Sequence, residues 1–207
     1  MKAAIFYATR EGHGKHVAEH IAGSLREQRF DVDVCNVKDS PELIDTQPYQ
    51  VAFVVASVHL GHHEREIVRF VKSHRLDLVR LGAPFLSLTL SEAGAEDPAA
   101  PPEKRHAAAA DAQRMIDVFV QETGWRPAYV LPVAGALTYT KYNFFIKMVM
   151  KAISRRAGGP TDTSRDYDFT DWAALDRFVR DRVKGETITP VPGSRLLVPG
   201  SRFPTEP

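Results

Sequence analysis

The stretch AAIFYATREGHGKHVAEHIA, Ala3 to Ala22, constrains the chain most. An apolar run, Ala3 to Tyr7, is short enough for a buried strand. A small polar turn follows it, Thr9-Arg10-Glu11-Gly12-His13-Gly14. Val17, Ala18, Ile21, Ala22 and Leu25 then recur at helical spacing, with charge between them. Strand, tight loop and helix N-terminus in that order make an anion site, because the first helical amides have no partner within the helix and the dipole favours negative charge there. Two sharper motifs fail. A Walker A loop would need glycine at Thr9 and Ser or Thr at His16; a dinucleotide fingerprint begins at Gly12-His13-Gly14 but meets Val17 at its last position. There remain a loop that wraps a terminal phosphomonoester and an ordinary glycine turn between strand and helix.

Strand signals recur with helices between them. Asp31 to Val37 alternates as a half-exposed strand does, and Val51 to Ala56 is the near-continuous apolar run of a parallel strand buried on both faces. Residues 38–50 read as a loop with one helical turn at most. Glu64 to His74 is helical, Phe85 to Leu88 strand-like, and residues 91–102, rich in Ala, Pro and acid, read as a mobile loop. Lys104 to Thr123 is a helix stopped by Gly124, Tyr129 to Ala134 a fifth strand, and Asp171 to Val183 a closing helix with Thr170 as N-cap. Alternating strand and helix predicts an α/β fold: a doubly wound, five-stranded parallel sheet in the order 2-1-3-4-5, ligand loops at its carboxyl edge. Residues 1–184 form one domain with a helical insertion over about 138–163. Residues 185–207, with five prolines and no apolar period, read as a disordered tail.

The 207 residues suffice for one core, and 43% apolar with 26% charged residues excludes global disorder. Cys35 is the only cysteine, so no intrachain disulfide forms, which suits a reducing cytosol. No signal-peptide pattern opens the chain, and no apolar run approaches a membrane span. The prediction is a cytoplasmic protein whose membrane contact, if any, is peripheral, at the inner face of the cell membrane.

Three loops add up: Thr9 to Gly14 after strand 1, Ala56-Ser57-Val58-His59-Leu60-Gly61-His62 after strand 3, and Gly135-Ala136-Leu137-Thr138-Tyr139 after strand 5. Together they resemble the flavodoxin fold. With Trp125-Arg126-Pro127, Tyr142 to Lys151, Gly158 to Thr163 and Thr170-Asp171-Trp172, they resemble more narrowly the bacterial menaquinone-dependent protoporphyrinogen IX dehydrogenases over roughly residues 1–183. That resemblance implies FMN as cofactor, a porphyrinogen substrate, a quinone acceptor, and a place in haem biosynthesis. It implies that Thr9, Arg10, Glu11, Gly12, His13 and Gly14 hold the FMN phosphate. Ser57, Val58, His59, Leu60, Gly61 and His62 would border the isoalloxazine ring on one side, and Ser87, Leu88, Thr89 and Leu90 on another. The chain departs from the family pattern at Gly14, where Thr is usual and a phosphate hydroxyl contact is lost, and at Ala8, where Ser is common. The 91–102 stretch also differs.

Lys141 to Ala157, KYNFFIKMVMKAISRRA, holds five basic residues and no acid. Lys147, Lys151 and Arg155 are spaced by four and share a helix face, with Phe144, Phe145, Met148, Val149, Ala152 and Ile153 forming most of the other. Such a helix suits an anionic membrane or a tetrapyrrole with two carboxylates; it also suits packing on the domain or on a second copy. The net charge of +1 contrasts with the strong acidity of typical flavodoxins.

Other constellations are weaker. His59, His62 and His63 with Glu64 and Glu66 lack a further spaced ligand pair, so no metal is assigned. His13, His16 and His20 share a helix face without an H-E-x-x-H motif. Ser57 has no nucleophile-elbow setting, and Lys104-Arg105-His106 is too short for nucleic acid. Tyr129 and Tyr139 are candidates either to flank the ring or to pack in the core. No side chain stands out as a catalytic acid or base. The resemblance implies an FMN oxidoreductase acting on porphyrinogen and quinone, with an NAD(P)H:quinone reductase and a non-enzymatic electron carrier as alternatives.

Overall fold

A computed structural model describes residues 1–38, 41–157 and 159–184. The tail expected over 185–207 lies outside the described residues. In chain order the elements are β1 (Lys2–Ala8), α1 (His13–Glu27), β2 (Asp31–Asn36), β3 (Val51–His59), β4 (His62–His63), α2 (Arg65–Arg80) and β5 (Phe85–Thr89). Then come α3 (Leu90–Glu96), α4 (Pro102–Thr123), β6 (Val130–Ala134), β7 (Ala136–Leu137), α5 (Phe144–Ala157), β8 (Tyr167–Asp168) and α6 (Trp172–Lys184).

The main sheet runs β2-β1-β3-β5-β6, all parallel, with short β4 turned back against β3. This is the order the alternation of elements predicts. The two-residue period of a strand lets β1 feed a core on each face of the sheet. Ala3, Ile5 and Tyr7 point to one core with Val17, Ile21, Leu175 and Phe178 from α1 and α6. Ala4, Phe6 and Ala8 point to the other with Ile67, Phe70, Ile116 and Phe119 from α2 and α4. Helices thus cover both faces, as a parallel sheet requires.

Three expectations change. Residues 90–96 form a helix, not a mobile loop: Thr89 caps it, its hydroxyl accepting from the Ser91 amide at 3.1 Å. The signal was present, since Thr89-x-x-Glu92 has capping-box spacing; the Ala and Pro content of the stretch masked it. Thr170 does not cap α6. Asp171 does, accepting from the Ala174 amide at 2.9 Å, while the Thr170 hydroxyl donates to the Ala134 carbonyl at 2.9 Å. Helix α2 runs to Arg80, past the His74 boundary read from the sequence. Its residue His74 leaves helical geometry (φ −110°), which breaks the pattern there without ending the helix.

Between β6 and α6 the chain detours. β7 and β8 pair antiparallel across the base of the detour, and a 3₁₀ turn at Tyr139–Lys141 leads into α5. Two bonds of 2.8 Å from the Thr140 amide and hydroxyl to the Asp166 carboxylate fix that turn.

Candidate functional site

The carboxyl ends of β1, β3, β5 and β6 meet at one edge. After β1 the chain turns through Gly12, in the left-handed region at φ 93°, and enters α1 at His13. No side chain caps α1, and no acid stands in its first turn. Its leading amides are therefore open to an anion. The Thr9 hydroxyl accepts from the Gly12 amide at 3.1 Å, which closes the turn and leaves its own proton to donate outward.

After β3, Leu60 (φ 50°) and Gly61 (φ 81°) form a two-residue hairpin turn that pairs His59 with His62. Glycine adopts this conformation readily; leucine does not. Leu60 nonetheless holds it, with 84% of its surface exposed. Glu11 and His59 lie 3.5 Å apart, tying the first loop to the second.

A cleft opens between these loops. Of the residues singled out in the sequence, Thr9, Glu11, His13, Ser57, Val58, His59, Leu60, Gly61, Leu88, Thr89 and Leu90 line it. Arg10, Gly12, Gly14, His62 and Ser87 do not. Arg10 turns to Glu64, a buried carboxylate, at 3.0 Å. Gly12 and Gly14 contribute backbone alone, and His62 faces solvent. Ser87 is fully buried, 2.9 Å from His63 Nε2. Burial pushes the His63 imidazole down to about 3, so it is neutral. His59, His62 and His63 thus point to three different partners or directions rather than one centre. Burial, more than neighbouring charge, also lowers His13, whose ring is 3.1 Å from the Thr170 hydroxyl.

Tyr129 and Tyr139 stay away from the cleft. The Tyr139 ring is fully buried and its hydroxyl donates to the Pro160 carbonyl at 3.0 Å; Tyr129 packs beside the core under Arg182. Tyr142, Ile146 and Met150 line the cleft instead, with Ser91 and Met115. The sequence placed Tyr142, Ile146 and Met150 in a basic amphipathic segment without indicating which turn faces the sheet edge.

A larger cavity of about 620 Å³ lies alongside, between α3, α5 and residues 159–171. Leu90 and Met150 line both spaces. Its walls include Ala93, Leu137 and Phe169, and Glu96, Asp97 and Asp171 contribute acid. On α5, Phe144, Phe145, Met148 and Val149 are exposed, Phe144 by 81% and Phe145 by 75%. Lys151 and Arg155 are exposed beside them and Lys147 is half-buried. The packing of that apolar face on the domain, one reading of the sequence, does not occur.

The donor set fits a flavin phosphate: open amides at a helix start, a Thr9 hydroxyl with its proton free to donate, and an adjoining cleft with apolar walls. The fold and this edge define a class, and the chain belongs to the Flavodoxin domain family, which matches residues 4–164. Within that class it is similar to the protein of Escherichia coli (strain K12) named protoporphyrinogen IX dehydrogenase (quinone), 31% identical over 181 residues that cover 87% of this chain and 94% of that one. A protein of the same name from Leishmania major is 30% identical over 87% of this chain and 74% of its own. The fold is shared with oxidised Flavodoxin 1 from Bacillus cereus, TM-score 0.50 at 19% identity, over 90% of this chain and 100% of that one.

Proposed function

We propose that this chain is an FMN-dependent oxidoreductase that converts protoporphyrinogen IX to protoporphyrin IX and passes the electrons to a quinone. One observation carries the reading: an uncapped helix start opens directly into an apolar cleft that α5 overhangs with Ile146 and Met150. The names of relatives 30–31% identical over most of the chain supply the substrate class.

FMN, when bound, supplies the two-electron redox chemistry. The chain's residues do the rest. The Thr9–Gly14 backbone and the Thr9 hydroxyl hold the phosphate. Ser57 to Gly61 form one wall for the ring, with Leu60 standing out at its tip, and Leu88 to Leu90 form the other. Ser87 and His62 act through the fold, not by contact. Met115, Ile146 and Met150 would exclude water from the ring. The uncharged quinone suits the larger cavity, whose acids disfavour a dicarboxylate substrate.

The exposed face of α5 meets an anionic lipid surface, the source of an apolar quinone. Four exposed apolar side chains, Phe144, Phe145, Met148 and Val149, lie on the same helix as Lys147, Lys151 and Arg155. Among the described residues no helix is long and apolar enough to cross a membrane.

Steady-state assays with a quinone acceptor test the proposal. Protoporphyrinogen IX as donor should give turnover and NADPH should not. Turnover with NADPH alone would make the chain a nicotinamide-dependent reductase and overturn the assignment.

A further inference from the structure

We propose that Lys141 is a ligand of the FMN phosphate, so that the detour after β6 closes over the anion loop; this rests on the FMN reading above. Lys141 stands 130 positions from Glu11, yet its Nζ donates to the Glu11 carbonyl at 2.7 Å. The same Nζ lies 3.1 Å from where a β-carbon on Gly12 would sit. Gly12 is favoured by its φ of 93°, and a side chain there would press on the ammonium and shift it by a few tenths of an ångström. An ammonium has three donors, and the Glu11 carbonyl takes one.

The loop needs a cation from elsewhere. Its own arginine, Arg10, is drawn to Glu64 at 3.0 Å, and the Glu11 carboxylate is held by His59 at 3.5 Å. Burial chiefly lowers the His13 pKa, against the raising pull of Asp168 and with His16 and Lys141 adding to the lowering. Lys15, in the first turn of α1, pairs with Glu19 at 3.5 Å. Among the described residues Lys141 is the ammonium that reaches the phosphate turn, and it makes good the hydroxyl that Gly14 lacks.

The lysine is also pre-positioned. It ends the 3₁₀ turn, its amide donating to the Thr138 carbonyl at 3.0 Å. Neighbouring Thr140 is fixed by Asp166, and Tyr139 is anchored to Pro160. Little backbone freedom remains to be lost on binding. Lys141 is not part of the basic face of α5, since it precedes that helix. The i, i+4 pattern of Lys147, Lys151 and Arg155 therefore gives no hint of it.

Flavin fluorescence quenching tests this with FMN and riboflavin side by side. Riboflavin lacks only the phosphate. Lys141→Gln should weaken FMN about tenfold at low salt while leaving riboflavin affinity unchanged, the loss expected for one charge-assisted contact. Lys141→Arg should retain most of the FMN affinity, and the salt dependence of FMN binding should flatten in Lys141→Gln. Equal FMN affinity in wild type and Lys141→Gln, or an equal loss for both flavins, overturns the role of Lys141 and leaves the FMN reading standing. A wild-type chain that binds neither flavin overturns both.

Discussion

A β-carbon on Gly14 would stand 2.9 Å from the Ser57 hydroxyl and 3.2 Å from the Ala8 carbonyl oxygen. The first turn of α1 and the end of β3 are that close because position 14 has no side chain. The glycine is thus tied to its neighbours, not simply a missing threonine.

Gly14→Thr should therefore destabilise the chain by about 1–3 kcal/mol, the usual cost of overpacking a buried site. Adding Ser57→Ala removes the nearer obstacle but not the Ala8 carbonyl, so part of the loss should return. Urea unfolding of both single variants and the double variant measures the coupling. Strict additivity would contradict the packing account.

His63 packs against the stacked pair Phe85 and Phe119, hydrogen-bonded to Ser87, and is held at about 3 against an ordinary 6.5. Its folded value is depressed, so its contribution to stability is full above about pH 6.5 and is lost as pH falls towards 3. Across that window the loss approaches about 1.4 kcal/mol per pH unit. His63→Gln should flatten the slope between pH 6.5 and 4.5, where the depressed carboxylates Asp33, Asp162 and Asp176 have not yet protonated. Stability measured over that range in both proteins decides it; parallel slopes would refute the assignment.

Replacing Lys147, Lys151 and Arg155 by Glu should abolish flotation with anionic vesicles and leave FMN affinity unchanged. Loss of porphyrinogen turnover in detergent, with flotation intact, would assign the bases to substrate carboxylates instead.

Ala93 lines the larger cavity and not the cleft. Ala93→Phe should raise the KM for quinone several-fold and leave FMN binding alone. An unchanged quinone KM, with the variant folded, would move the acceptor to the cleft.

Much of the fold and of the cleft is legible in the sequence. The run Ala3 to Tyr7 could be read as a buried strand because both faces of β1 are covered, which removes alternation. The Thr9–Gly14 turn was legible because backbone geometry dictates glycine there. The rest depends on contacts between distant segments. Nothing near Lys141 in sequence says that it reaches Glu11, and nothing near Thr170 says that its hydroxyl is taken by Ala134. Ser87 reads as a cleft residue in the sequence, yet two-residue strand periodicity turns it inward to His63 while Leu88 lines the cleft. Tyr139 was placed by its burial, which no local pattern encodes.

Titration of the purified, flavin-free chain with FMN is the most direct test of the account. Saturation at one FMN per chain, with a protein-bound flavin absorbance spectrum, is the predicted result. A chain made with ample flavin that emerges colourless and takes up no added FMN would contradict it.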